Sequence, residues 1–483
     1  MYELLGFAPD VDPMVPGVLT NCENVIPYEA GMKSAPSEVD VGVTALPASC
    51  YGAAVLENLS GNRRFIAGTS TKLYENASTA WTDVSRVGDY SLGTDDVWQF
   101  AQYGNSALAA NITCKIQRSD AGDFGDITAA PPAKIIMSVK GFVMALNTND
   151  TIYGTSPDRW WCSALFDVTD WTPAVATQST TGRLVAASGG ITAGRRFGDD
   201  VVAYKKRAMF VGRYVGAPAV WDFQQLSNDI GCVGVNAVVD TLIGHVFVGE
   251  DNLYVYDGTV ARPLPGSEQI RNWLFLDINP SYLYRTVVVW DRITYTVAIR
   301  YVSVQSTGSI DSCVVYHVLK QKWGRWNTAM QAAVNYISPS VTYDGGSPVV
   351  TTYDDSPEIP FDSPFWNAGK SVPALFNASN VLVTLSGATE SSSFTTGDFG
   401  DEDGYTNCDN IKVRYVQNPT TSSATGYYKE EGGDSLTTGD TASESDGKHD
   451  MRQEARFHRF TVEQTGNWKA TGMRPKLTPT GTR

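Results

Sequence analysis

The stretch Ile243-Gly244-His245-Val246-Phe247-Val248-Gly249-Glu250-Asp251-Asn252-Leu253-Tyr254-Val255-Tyr256-Asp257-Gly258 decides the fold class. Two short runs of β-branched and aromatic residues flank Gly-Glu-Asp-Asn. Asp-Gly follows, a pair that tolerates the positive φ of a hairpin turn. Neither run is long enough for a helix, so the reading is strand, turn, strand, turn.

The same grammar recurs on both sides. Residues 53–59, 64–68 and 72–75 are apolar runs separated by turn residues, and Trp81-Thr82-Asp83-Val84 makes a fourth. Further units begin at Val97, Lys134, Val201 and Thr286. Their spacing drifts over about 35 to 60 residues, near the ~40–50 of a four-stranded propeller blade. Trp81, Trp171, Trp221 and Trp326 follow the last turn of several units and are expected to wedge between neighbouring blades. Short helices are expected only near 267–275 and 281–285. The fold class is therefore all-β: a β-propeller of about six blades, over residues 46–370.

Residues 1–45 carry Pro9, Pro13, Pro16, Pro27 and Pro36, which forbid a long helix. They read as an extended N-terminal arm, lying on a neighbouring subunit. From 371 to 483 the composition shifts to Ser, Thr, Gly and Asp. Alternating strands at 411–416 and 456–463 point to a separate β-sandwich-like domain with acidic polar loops. Phe457 falls on the polar face of the second strand, which calls for a bulge after it or a neighbour covering that end.

Composition excludes several functions. The 483 residues include 52 acidic and 37 basic side chains, a net charge of −15, which argues against a sequence-reading DNA binder. Seven scattered Cys without a CxxC pair read as buried free thiols. The four His (His245, His317, His449, His458) show no metal-ligand spacing, and His245 sits inside an apolar run as a core residue. There is no GxSxG elbow, Walker loop or dinucleotide fingerprint. The start of the chain lacks a basic n-region, and no run approaches the ~20 apolar residues of a membrane span. Synthesis in the cytoplasm, without a membrane span, is expected.

Two clusters bear on chemistry. Asp398, Asp401, Glu402 and Asp403 offer oxygen ligands that could hold Ca²⁺, although no Glu closes a twelve-residue loop. A solvated turn explains them more simply, so no cofactor is required. Asp158, Asp167 and Asp170 lie near Trp160, Trp161 and Trp171, which suggests a sugar platform or a glycosidase. Packing at a blade edge accounts for the same aromatics.

Landmarks across the chain resemble the stabilisation, or tail nozzle, proteins of short-tailed (podovirus-like) bacteriophages. They are Asn21 to Pro27 with Gly31 to Pro36, Trp98 to Gly104 with Ala109-Ala110-Asn111, Trp160 to Ser163 with Asp170-Trp171, and Arg452 to Phe460 with Thr471 to Pro475. The resemblance implies a non-enzymatic virion protein with no active-site residues. It implies a ring, of six copies, placed below the portal and adaptor. The ring would close the DNA exit channel and support tail fibres or tailspikes. Genomic DNA would pass without sequence-specific binding, and an acidic or neutral channel wall would favour sliding. The competing readings are a receptor- or polysaccharide-binding tail module and, behind it, a virion glycosidase.

Overall fold

The computed structural model describes residues 1–76, 79–337 and 371–481. The end of the expected propeller range, 338–370, lies outside them, as do 482–483. The chain is nearly all-β, with a six-blade β-propeller arrangement of separate four-stranded antiparallel sheets. Four are continuous meanders: residues 52–83, 99–126, 133–183 and 191–227. A fifth takes three strands from Ala332–Ile337, Ser371–Phe376 and Leu382–Gly387, and its fourth strand, Ser37–Asp40, from near the N-terminus. The sixth spans residues 238–263. Among the described residues, helices are confined to 3-10 turns at Ser267–Gln269 and Pro280–Arg285 and one α-helix, α1, at Arg271–Asp277. These are the places the sequence allowed.

The strands divide into two compact units. One contains residues 38–238 and 330–386, hence five of the blades. Alternation along its strands sends apolar side chains out of both faces of each sheet, and each face packs on the next blade. Phe65 and Ala67 of the first blade meet Val334, Tyr336 and Phe376 of the 332–387 blade. Ile66 and Leu73 share a core with Ala107 and Ala109. Leu108 and Ile116 pack with Ile136, Val143 and Trp161. Met144, Leu146 and Trp160 pack with Val201, Ala203 and Phe210. Three of the four expected wedge residues sit in these seams, whereas Trp326 ends a strand of the 287–326 meander in the other unit, with Arg300 over its ring at 4.9 Å. The Trp81 ring lies 5.3 Å from Phe65 and 5.8 Å from Phe376. Trp171 and Trp221 are buried in the two later seams.

The other unit contains residues 1–37, 239–329 and 387–483. Within it we label Val18–Glu23 β1, Val25–Tyr28 β2, Gly31–Ser34 β3, Ser392–Thr396 β4 and Tyr405–Gln417 β5. Thr421–Lys429 is β6, Thr437–Ser443 β7, His449–Ala455 β8, Phe457–Thr465 β9 and Lys469–Gly481 β10. A ten-stranded sheet runs from the four-stranded meander at 287–326 through β2, β3, β10 and β5 to β8. A seven-stranded sheet contains β1, β4, β9, β6 and β7 in that order.

This corrects the expected domain division in three respects. The first is that residues 1–37 are not a free arm. Leu4, Phe7, Val18, Leu19, Cys22, Val25, Ile26 and Met32 are all buried within their own chain. The prolines exclude helix but not strand, and Pro27 lies inside β2, opposite Met32 of β3. Secondly, residues 371–387 belong to a blade rather than to the C-terminal region, because Ser371–Phe376 pairs with Ala332–Ile337. Thirdly, residues 239–329 group with the chain termini. Phe457 is buried because Lys429 covers it, its ammonium 5.6 Å from the ring centroid. The chain itself thus covers that end of the strand.

The N-terminal segment is fastened by a carboxylate. Asp10 accepts the backbone N–H groups of Asn272 (2.5 Å) and Trp273 (3.1 Å) in the first turn of α1. Phe7 meets Trp273 edge-on at 4.8 Å. Two outcomes follow for stability. Asp10→Ala should cost about 1 kcal/mol, the usual worth of a capping group. Trp171→Ala, which empties a seam at a residue only 1% exposed, should cost about 3–5 kcal/mol. Urea unfolding of the two variants checks both, and similar midpoints for the two would contradict the seam as the larger contribution.

Candidate functional site

Asp398 was expected in a solvated or calcium-binding loop, but the structure places it in a dry ion cluster. It ends a turn after β4, and backbone pairing of Phe399–Gly400 with β9 draws it under the sheet. Its Oδ1 accepts from Arg459 Nε at 2.7 Å and its Oδ2 from Lys429 Nζ at 2.9 Å. The three side chains are 1%, 17% and 8% exposed. Lys429 Nζ also donates to the Gly432 carbonyl at 2.7 Å. Each carboxylate oxygen is thus paired with one cation, which neutralises the charge a metal ion would need. A burial this deep is tolerable because the partners are fixed by adjacent strands.

Asp401 and Asp403 are not drawn in. Asp401 accepts the backbone N–H groups of Asp403 and Gly404, both at 3.0 Å, which is an ordinary Asx turn. Glu402 and Asp403 are exposed. Among the described residues no three His, Cys, Asp or Glu side chains converge as a metal site. The sequence reading missed Lys429 and Arg459. A buried Lys at the end of an alternating strand was the available signal, but nothing local tied it to Asp398.

The suggested sugar platform is not assembled either. Trp160, Trp161 and Trp171 are buried in the seams, which leaves no ring face for a sugar. Asp158 pairs with Arg183 through several contacts of 3.1–3.2 Å. Asp167 and Asp170 accept from Thr169 and Thr172 in Asx turns. The Thr169 bonds hold the Asp167 carboxyl below the usual range.

All seven cysteines are buried and unpaired by disulfides. Burial pushes the thiols of Cys114 and Cys313 up to about 11, and those of Cys50, Cys162 and Cys408 to about 12. Such thiols are poor nucleophiles at neutral pH. His245 is fully buried, its ring 6.2 Å from that of Tyr256, as a core residue. An open cleft of about 600 Å³ on the 99–126 blade is lined by Arg118, Asp120, Asp123, Asp126, Thr128 and Thr169. Arg118 is paired with Asp120 at 2.6 Å, and Asp126 with Arg86 at 2.7 Å from outside the lining, so the guanidinium and two of the carboxylates of the cleft are in ion pairs. In these clusters charges neutralise charges, and aromatics fill seams.

No family model matches the chain, and no curated protein matches it. Solved structures similar to it include YCF48 bound to a D1 peptide, with 11% identity, a TM-score of 0.36, and coverage of 75% of this chain and 99% of that one. YCF48 from Cyanidioschyzon merolae has 10% identity, a TM-score of 0.35 and coverage of 73% and 99%. The N-terminal domain of Nup159 has 11% identity, a TM-score of 0.39 and coverage of 75% and 98%. Likenesses this distant carry nothing about function. Among the described residues no helix is long and apolar enough to cross a membrane.

The ion cluster gives a sharp expectation. Asp398→Asn keeps the shape but leaves Lys429 and Arg459 without a counter-charge, and should cost about 3–5 kcal/mol in urea unfolding. Asp401→Asn and Asp403→Asn should stay within about 0.5 kcal/mol. Calcium should not shift the Tm of the parent protein. A calcium-dependent rise abolished by the Asp401 and Asp403 changes would instead establish a metal site.

Proposed function

We propose that the chain is a structural, non-catalytic virion protein: a tail nozzle subunit of a short-tailed bacteriophage. In this reading it forms a closed ring of six copies below the adaptor and portal, supports tail fibres or tailspikes, and bounds the DNA exit channel. Its place of work is the virion tail, after assembly in the host cytoplasm.

One observation carries the reading beyond the resemblance itself. The landmark segment Gly31 to Pro36 is bonded to residues 468–470, which lead directly into the last one, Thr471 to Pro475, and Trp98 to Gly104 pairs with the stretch around Ala109 within one blade. Met32 and Lys33 of β3 pair with Ala470 and Lys469 of β10. Ser34 and Trp468 exchange two bonds of 3.2 Å, from Ser34 N to the Trp468 carbonyl and from Trp468 N to Ser34 Oγ. The approach at Gly31 is so close that a Cβ there would stand 2.2 Å from the Ala470 carbonyl oxygen. Phe100 and Ala109 pair within one blade. In the next, Ala164 N donates to the Asp170 carbonyl at 2.7 Å. The shared residues are thus framework positions, as a structural protein family requires, and not a reactive constellation. The carboxylates that a glycosidase reading needed are occupied, which supports the absence of catalysis.

The arm no longer supplies the argument for subunit contact, because its apolar residues are buried in its own chain. Ring contacts must come from other surfaces, and a closed ring needs two complementary patches rather than one. The excess of 52 acidic over 37 basic residues suits a channel that DNA must leave without being held.

Electron microscopy of the protein mixed with adaptor and portal should show closed rings with a central pore, and native mass spectrometry should give one multiple of the chain mass. Monomers alone under these conditions would overturn the proposal. A continuous Lys/Arg stripe along the pore would overturn its electrostatic part.

A further inference from the structure

Two of the four histidines lie between the ten-stranded and the seven-stranded sheet, where strands of residues 405–465 face one another, and both bond across the gap. His449 belongs to β8 in the ten-stranded sheet. Its Nε2 lies 2.9 Å from Ser422 Oγ of β6, in the seven-stranded sheet. Ser422 Oγ in turn lies 3.2 Å from the Tyr415 hydroxyl of β5, to which Gln464 of β9 donates at 2.9 Å. His449 is 1% exposed, and its Nδ1 has no hydrogen-bond partner.

His458 crosses in the opposite direction, from β9 to β5 and β8. Its Nε2 lies 3.1 Å from the Thr406 carbonyl, which can only accept, so Nε2 carries the hydrogen. Nδ1 of the neutral ring must then accept, and Gln453 Nε2 donates to it at 2.9 Å. The Gln453 amide is held the right way round because the same nitrogen donates to the Tyr427 carbonyl at 3.2 Å. Its Oε1 is lodged against two glycines. A Cβ would stand 2.2 Å from that oxygen at Gly426 and 2.6 Å at Gly439. Neither glycine needs a left-handed backbone; both are there for room.

We propose that His449 and His458 form a proton-sensitive latch between the two sheets, closed while both rings are neutral and released on acidification. Protonation of His458 sets an Nδ1–H against the Gln453 amide N–H₂, two donors 2.9 Å apart. Turning the amide would set its oxygen against the Tyr427 carbonyl. Protonation of His449 adds a charge to a ring whose Nδ1 has nothing to donate to. Each event weakens bonds joining different sheets, so the effect is on their docking rather than on one strand.

The surroundings favour the neutral rings. Burial is the largest influence on both and lowers their proton affinity. The carbonyls of Ile411 and Ser422 act the other way at His449. Those of Thr406 and Ala455, and the Glu430 carboxylate beyond β6, do so at His458. Of the other charged groups on these elements, Asp398 is paired with Lys429 and Arg459, Lys448 with Asp450 at 2.7 Å and Asp409 with Lys476 at 2.8 Å, while Lys412, Arg414, Arg452, Glu454 and Glu463 are exposed to solvent. Arg456 lies over the Tyr405 ring. Tyr415 of β5 also faces the gap, and burial pushes its hydroxyl up from the ordinary value, so it stays neutral in this range. An unfolded histidine takes up its proton near pH 6.5, whereas the folded rings resist until lower pH. The latch therefore contributes fully above about pH 6.5 and is lost as the pH falls below it.

Hydrogen–deuterium exchange of the full chain between pH 7.5 and 5, corrected for the intrinsic exchange rate, reads the latch directly. Protection in residues 405–465 should fall by up to about tenfold per pH unit for each histidine that titrates. The blade strands at 133–162, which contain no histidine, should keep theirs. The double variant His449→Gln with His458→Gln should lose this pH dependence. Equal pH dependence in parent and variant would overturn the proposal. Should the variant not fold, an NMR titration of the parent decides: ring midpoints well below 6.5 support the latch, and midpoints at or above 6.5 for both rings refute it.

Discussion

A four-stranded blade has two faces and no interior of its own, so it is stable only when both faces are covered by something of matching shape. Everything in the 38–238 and 330–386 unit depends on that. Large aromatic and branched side chains leave the strands on both sides, and the seams between blades are the only cores available. Trp81, Trp171 and Trp221 mark the seams because a bulky ring fills the space between sheets that splay apart. The fifth blade borrows Ser37–Asp40 from near the N-terminus, which ties early and late parts of the chain into one sheet.

The same need to cover sheet faces and edges organises the other unit. Residues 1–37 have too little apolar surface to fold alone, yet strands β1 to β3 find edges in sheets built mainly from residues 387–481. Some polar groups that folding carries into this interior are matched locally, while others, among them His449 Nδ1, Gln453 Oε1 and Gln464 Oε1, are buried without a hydrogen-bond partner. Asp398 has two cations, and His458 has a donor and an acceptor in the correct order. A cluster of acids in a Gly-rich loop can therefore divide: Asp398 is internal and Asp401 to Asp403 stay in water. The side chains that might have suggested a sugar platform are engaged in packing seams and closing turns.

Much of the architecture was legible from local patterns. Alternation of period two and Asp-Gly or Gly-rich turns located the hairpins at 53–83 and 243–258, and they folded as read. The sparse helices fell where expected, at 267–277 and 280–285. Those signals are short-range: side-chain alternation and turn chemistry depend on neighbours in sequence. Domain boundaries were not legible, because the composition change near residue 371 reports solvent exposure of loops and not which strands pair.

The sequence by itself determined that this is a β-rich, acidic chain of repeated meanders without a catalytic signature, since each of those properties is local or additive. Only the tertiary structure decided which residues share a site. Arg459 reaches Asp398 across 61 positions, and Trp468 bonds to Ser34 across 434. Whether an aspartate is a solvated turn residue or half of a buried ion pair depends on what strand pairing brings beside it. Pairing is chosen by the burial of whole sheet faces, a collective property that no short stretch of sequence carries.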